Sequence, residues 1–164
     1  MSKEKISDRI FENLCFPDGF WYEDSIFEYC IYHFWKKKYT IENDVYAYRY
    51  NLNGITYKSR GNVKSIDHYW IMLYLWDWIK DKQILRSDEW LQISMLDDMV
   101  LGYSRTKDLD EKTVQFGFVV LRKHYLSSFA NSPRQQNKYI LLDKSICKKD
   151  FGQFKLLCDR WRYL

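Results

Sequence analysis

Two alanines, two prolines and six glycines in 164 residues leave this chain poor in three residue types that most domains use freely. With so little proline and glycine, and no Pro/Ser-rich tract or repeat, nothing marks a linker. A single domain over residues 1–164 is therefore expected. Long apolar runs are missing too. The longest, YWIMLYLW at 69–76, falls well short of the roughly 18–20 residues of a membrane-spanning helix. The first residues, MSKEKISDRIFENL, are charged and lack the apolar stretch of a secretory leader. The expected compartment is the cytoplasm, that of the host if the gene belongs to a phage or virus, and no membrane partner is expected.

Cys15, Cys30, Cys147 and Cys158 form no CxxC pair. Cys30 and His33 stand at i, i+3, but without a knuckle the four cysteines read as reduced, mostly buried thiols rather than as a zinc site. There is no Gly-rich phosphate loop and no nucleophile elbow. His33 lies among aromatics, and His124 follows Lys123 with no evident acidic partner. His68 adjoins Asp67, but side chains one residue apart on a helix do not face each other. No cofactor or metal is expected. A small metal-dependent nuclease or transferase ranks behind the binding functions below.

Aromatic residues are abundant at 19%, and 46% of the chain is hydrophobic, which is ample for a packed core. The surplus of Lys, Tyr, Ile, Asn and Phe is what AT-rich codons encode, as in a phage or another mobile element. The net charge of +4 hides segregation. Residues 1–35 carry three Lys and Arg against seven Asp and Glu, and residues 65–111 carry five against ten. Residues 36–64 and 131–164 are basic, with seven against two and eight against three. Such blocks either interleave on folding or form an acidic and a basic face that steer association.

Several helices are expected. Residues 3–14 place Ile6, Ile10 and Leu14 on one side. SIFE at 25–28 is a capping-box pattern with Ser25 at the N-cap, and its helix would close on Lys36, Lys37 and Lys38. Ser87, Asp88 and Glu89 open another, with Leu91, Met95 and Met99 inward and Gly102 at its end. Asp97 and Asp98 would extend the acidic surface. The tail DFGQFKLLCDRWRYL reads as a final helix, with Phe154, Leu157 and Trp161 inward and Arg160 and Arg162 outward.

DVYAYRYNLNGITYKSR at 44–60 reads as a hairpin turning on Asn53-Gly54. Alternation would give it one aromatic face (Tyr46, Tyr48, Tyr50, Tyr57) and one polar, basic face bearing Arg49, Lys58 and Arg60. TVQFGFVVL at 113–121 fits both periods: Val114, Phe116, Phe118 and Val120 alternate like a strand, and Val114, Phe118, Leu121 and Tyr125 recur like a helix. KYILLD is a short strand candidate. The fold class expected is therefore α+β: one mainly helical domain with a small antiparallel hairpin or sheet.

The segment 64–81 is the most informative. At 100° per residue, Asp67, Trp70, Tyr74, Asp77, Trp78 and Asp81 fall within one arc of about 100°, and the rest of the circumference is largely apolar. A helix apolar nearly all round is central, and its acidic, aromatic arc suits docking on a basic protein surface. The leading expectation is a non-enzymatic binding protein, an inhibitor or modulator that docks this face on a basic partner that handles nucleic acid. The alternative is nucleic-acid binding by Lys36, Lys37, Lys38, Arg49, Lys58, Arg60, Arg160 and Arg162. Oligomeric state is not readable from the sequence.

Overall fold

A computed structural model describes residues 18–26, 51–52, 54, 58, 61–81, 89–130 and 137–161 of the chain. The expected α+β class is overturned: among these residues every regular element is helical and there is no strand. A 3-10 turn, Val63–Ile66, leads into α1 (Asp67–Asp81), followed by α2 (Glu89–Thr106), α3 (Glu111–Phe129), α4 (Asn137–Cys147) and α5 (Phe151–Asp159).

Both strand candidates are helical. In α3, Val114, Phe118, Leu121 and Tyr125 form the buried row, whereas Phe116 is half exposed. Asp110 caps the helix, accepting from Thr113 N at 3.0 Å and from Thr113 Oγ1 at 2.6 Å. Gly117, unfavourable in a helix interior by propensity, is there for contact. A Cβ at this position would come within 2.1 Å of Tyr69 Cε2. KYILLD lies in α4, where Leu142 and Ile146 are fully buried at helical spacing.

The expected hairpin turn does not form at Gly54. Gly54 N donates to Asn51 O at 2.9 Å, and Lys58 N donates to Gly54 O at 3.1 Å, the i, i+4 spacing of a helical turn. Gly54 also lacks the positive φ that a type I′ turn requires. Tyr46, Tyr48, Tyr50 and Tyr57 lie outside the described residues, as do residues 3–14, where a helix is expected. Residues 24–26 are already helical, so Ser25 sits inside a turn rather than at its N-cap.

Leu91, Met95 and Met99 do line the buried side of α2. The helix nevertheless runs past Gly102 to Thr106, because Gly102 is another contact point: a Cβ there would meet Tyr69 Cε1 at 2.8 Å. Tyr69 thus fills the space between α2 and α3, with its hydroxyl bonded to Thr106 Oγ1.

The contacts fix the helix directions. Tyr69 lies against Gly117 and Asp77 near His124, so α1 and α3 run side by side and parallel. α2 bonds to α1 near its own C-terminal end, at His68, and to α3 near its N-terminal end, through Gln92 and Tyr125, so it is antiparallel to both. α4 is antiparallel to α3, with Asp143 against Tyr125 and the last carbonyls of α4 against Arg122. Arg122 donates to Ile146 O and Cys147 O, adding charged donors to the carbonyls at the end of α4.

The α4–α5 turn is a Schellman motif. Asp150 N donates to Ser145 O at 2.8 Å and Lys149 N to Ile146 O at 3.1 Å, with Lys149 left-handed at φ 57°. Asp150 then caps α5 by accepting from Gln153 N. Phe154 and Leu157 of α5 are buried, and the Phe154 ring lies 4.7 Å from Phe118. Trp161 is partly buried against Tyr139 and Arg160 is exposed, while Arg162 lies outside the described residues.

Candidate functional site

Asn62 Oδ1 accepts from Lys64 N at 2.9 Å and starts the turn that aims α1 into the core. From there Tyr69, Ile71, Met72, Leu75, Trp76 and Ile79 are buried. The six residues of the expected docking arc divide. Trp70 is 47% exposed and Tyr74 42%, and the Asp77 side chain is 59% exposed. Asp67 and Trp78 are buried, at 8% and 7%. The Asp81 side chain is outside the described residues.

The burial of Asp67 has a clear cause. Its Oδ2 accepts from Trp21 N at 3.0 Å and from Lys64 Nζ at 3.1 Å, and Lys64 Nζ also donates to Gly19 O. This carboxylate ties the segment around Trp21 to the start of α1 and is not a wet docking acid. The wet face therefore narrows to Trp70, Tyr74 and Asp77, at i, i+4 and i+7, which stack along one edge of the helix.

Asp77 reaches towards α3: its Oδ1 is 3.6 Å from His124 Nδ1, an acidic neighbour that sequence spacing did not reveal. The His124 ring also lies 6.3 Å from Trp76. On α3 itself, Phe116 is 50% and Val119 40% exposed, with Lys123 exposed beyond them. The strand period groups Phe116 with the core residues Val114 and Phe118, so alternation alone does not show this exposed set.

Two buried polar clusters compete for attention as sites. His68 is fully buried. Its Nδ1 accepts from Arg105 Nη1, and its Nε2–H donates to Asp98 O at 3.2 Å, which fixes the neutral tautomer. Burial, reinforced by the Arg105 charge, holds its pKa down at about 3. The Tyr22 ring covers the Arg105 guanidinium at 3.8 Å, and Tyr22 is itself left-handed at φ 68°. In the second cluster Gln92 Nε2 donates to Tyr125 Oη at 2.7 Å, and Tyr125 donates to Asp143 Oδ1 at 2.6 Å. Burial and the Asp143 carboxylate both push the Tyr125 hydroxyl well up. Asp97 and Asp98 likewise serve internal contacts, as Asp97 accepts from Tyr139 and the Asp98 carbonyl from His68.

Both clusters join helices: His68 of α1 to Arg105 and Asp98 of α2, and Tyr125 of α3 to Gln92 of α2 and Asp143 of α4. The space bounded by Tyr69, Met99, Phe118 and Phe154 has core walls and leaves no room for a water molecule. Among the described residues no group of three or more His, Cys, Asp or Glu could hold a metal. Cys158 is buried, and burial pushes its thiol well up, while Cys147 is exposed. Cys15, Cys30 and His33 lie outside the described residues.

Of the expected nucleic-acid-binding residues, Lys58 and Arg160 are described, and both are exposed. Lys36, Lys37, Lys38, Arg49, Arg60 and Arg162 lie outside the described residues. No helix among the described residues is long and apolar enough to cross a membrane. No protein-family model, curated protein or solved structure matches the chain.

Proposed function

We propose that this protein is a non-enzymatic binding module that docks the Trp70–Tyr74–Asp77 edge of α1 on a basic, partly apolar protein surface. The observation that carries this reading is the exposure of Trp70 and Tyr74 on a helix whose remaining described aromatics, Tyr69, Trp76 and Trp78, are buried. Two large rings left in water one turn apart offer apolar area at low conformational cost, the property of binding anchors. Asp77 beside them selects for Lys or Arg on the partner and disfavours acidic surfaces. A nucleic-acid-handling complex is one source of such a basic surface.

The reading is tested by affinity capture of the tagged protein from a native lysate treated with nuclease. Stoichiometric protein capture should be lost with Trp70→Ala and Asp77→Lys combined. Capture that is unchanged in this variant, or that disappears on nuclease treatment alone, rejects the docking face.

A further inference from the structure

Helix periodicity and the interhelical bonds together show that α1 and α3 present one surface. Trp70 and Asp77 project opposite His68, the residue of α1 that bonds α2. Phe116 and Lys123 project opposite Tyr125, the residue of α3 that bonds α2. Both sets therefore lie on the side of the pair that faces away from α2. One half of this surface is aromatic and acidic, and the other is apolar and basic.

The two halves are also level. Tyr69 lies against Gly117 and Asp77 beside His124, so the helices are parallel in a nearly constant register. Trp70 stands at the height of Phe116 and Val119, and Asp77 at the height of Lys123. A two-fold axis running along the helices would lay α1 of each copy on α3 of the other and keep every height. Trp70 of each copy then meets Phe116 and Val119 of the other, and Asp77 meets Lys123, twice over by symmetry.

We infer that a partner for this face is a second copy of the chain, paired through α1 and α3 in this isologous way. The inference rests on the docking reading above and supplies the basic, apolar surface which that reading requires. Charge complementarity selects this arrangement over one that lays α1 on α1, where aspartate would gain no cation.

The test is the mass of the purified full chain in solution, by light scattering after size exclusion and by sedimentation equilibrium. A dimer at twice the 20.2 kDa chain mass is expected. Asp77→Lys and Lys123→Asp should each weaken dimerisation at least about tenfold, and the two combined should restore it. Circular dichroism of each variant separates loss of pairing from loss of folding, and the charge-restored double variant has to fold in order to dimerise. A monomer at every concentration overturns the inference. So does a dimer indifferent to these charges and to Trp70→Ala, since that dimer would use another face. Monomeric protein that still captures a Trp70-dependent partner would end the dimer and leave the docking reading standing.

Discussion

Gly117 of α3 sits so close to Tyr69 of α1 that a Cβ would fall 2.1 Å from the ring's Cε2 and 2.3 Å from its Cζ. The ring cannot retreat, because Gly102 of α2 lies on its other edge and its hydroxyl is bonded to Thr106. This contact sets the spacing of α1 and α3, and with it the width of the exposed surface they share.

Gly117→Ala should therefore destabilise the protein, although helix propensity alone favours alanine by about 1 kcal/mol. Overpacking against a fixed ring costs about 1–3 kcal/mol and should exceed that gain. In a Tyr69→Ala background the same substitution should become neutral or stabilising. Urea denaturation of the four proteins of this cycle measures the coupling.

His68 makes stability depend on pH with a definite sign. Its pKa is about 3 in the folded protein against 6.5 unfolded, so between these values the unfolded chain binds the extra proton. The stabilisation is complete above pH 6.5 and is lost as pH falls towards 3, at up to about 1.4 kcal/mol per pH unit. His68→Gln should flatten this part of the profile while lowering stability at pH 7.5. Denaturation midpoints from pH 7.5 to 4.5 provide the comparison.

Lys149 holds the left-handed position of the α4–α5 turn, where glycine carries no Cβ penalty. Lys149→Gly should raise stability by about 1 kcal/mol, and Lys149→Ala should not. Thermal unfolding of both variants checks this.

Tyr125→Phe removes the donor to Asp143 and the acceptor for Gln92 from a fully buried position. Loss of about 1–3 kcal/mol is expected with the helical content unchanged. Chemical denaturation followed by circular dichroism reads both quantities.

Where burial is one-sided, the sequence carried the helices well. Leu91, Met95 and Met99 of α2, and Phe154 and Leu157 of α5, are inward as their spacing indicates. Phe116 and Val120 misled because β-branching and alternation describe a strand equally well, and the reason for Gly117 lies 48 positions away in Tyr69. The exposure of the proposed docking arc was partly legible. Trp70, Tyr74 and Asp77 are exposed, but a helical projection cannot show that Trp21 N and Lys64 claim the Asp67 carboxylate. The same non-locality hid the Arg105–His68 bond and the approach of Asp77 to His124. The α+β expectation failed at 113–121 and 138–143, where short apolar runs fit a strand as well as a helix, and at Gly54, whose backbone lacks the positive φ of the expected turn.

The most direct measurement on the proposed docking face is site-specific photo-crosslinking in native lysate, with a photoreactive phenylalanine analogue in place of Tyr74. A second variant carries it in place of Leu156, which is similarly exposed on α5. Discrete protein adducts from position 74, resistant to nuclease and absent from position 156, are the expected result. No adduct from position 74, or the same adducts from both positions, would contradict the assignment of this face.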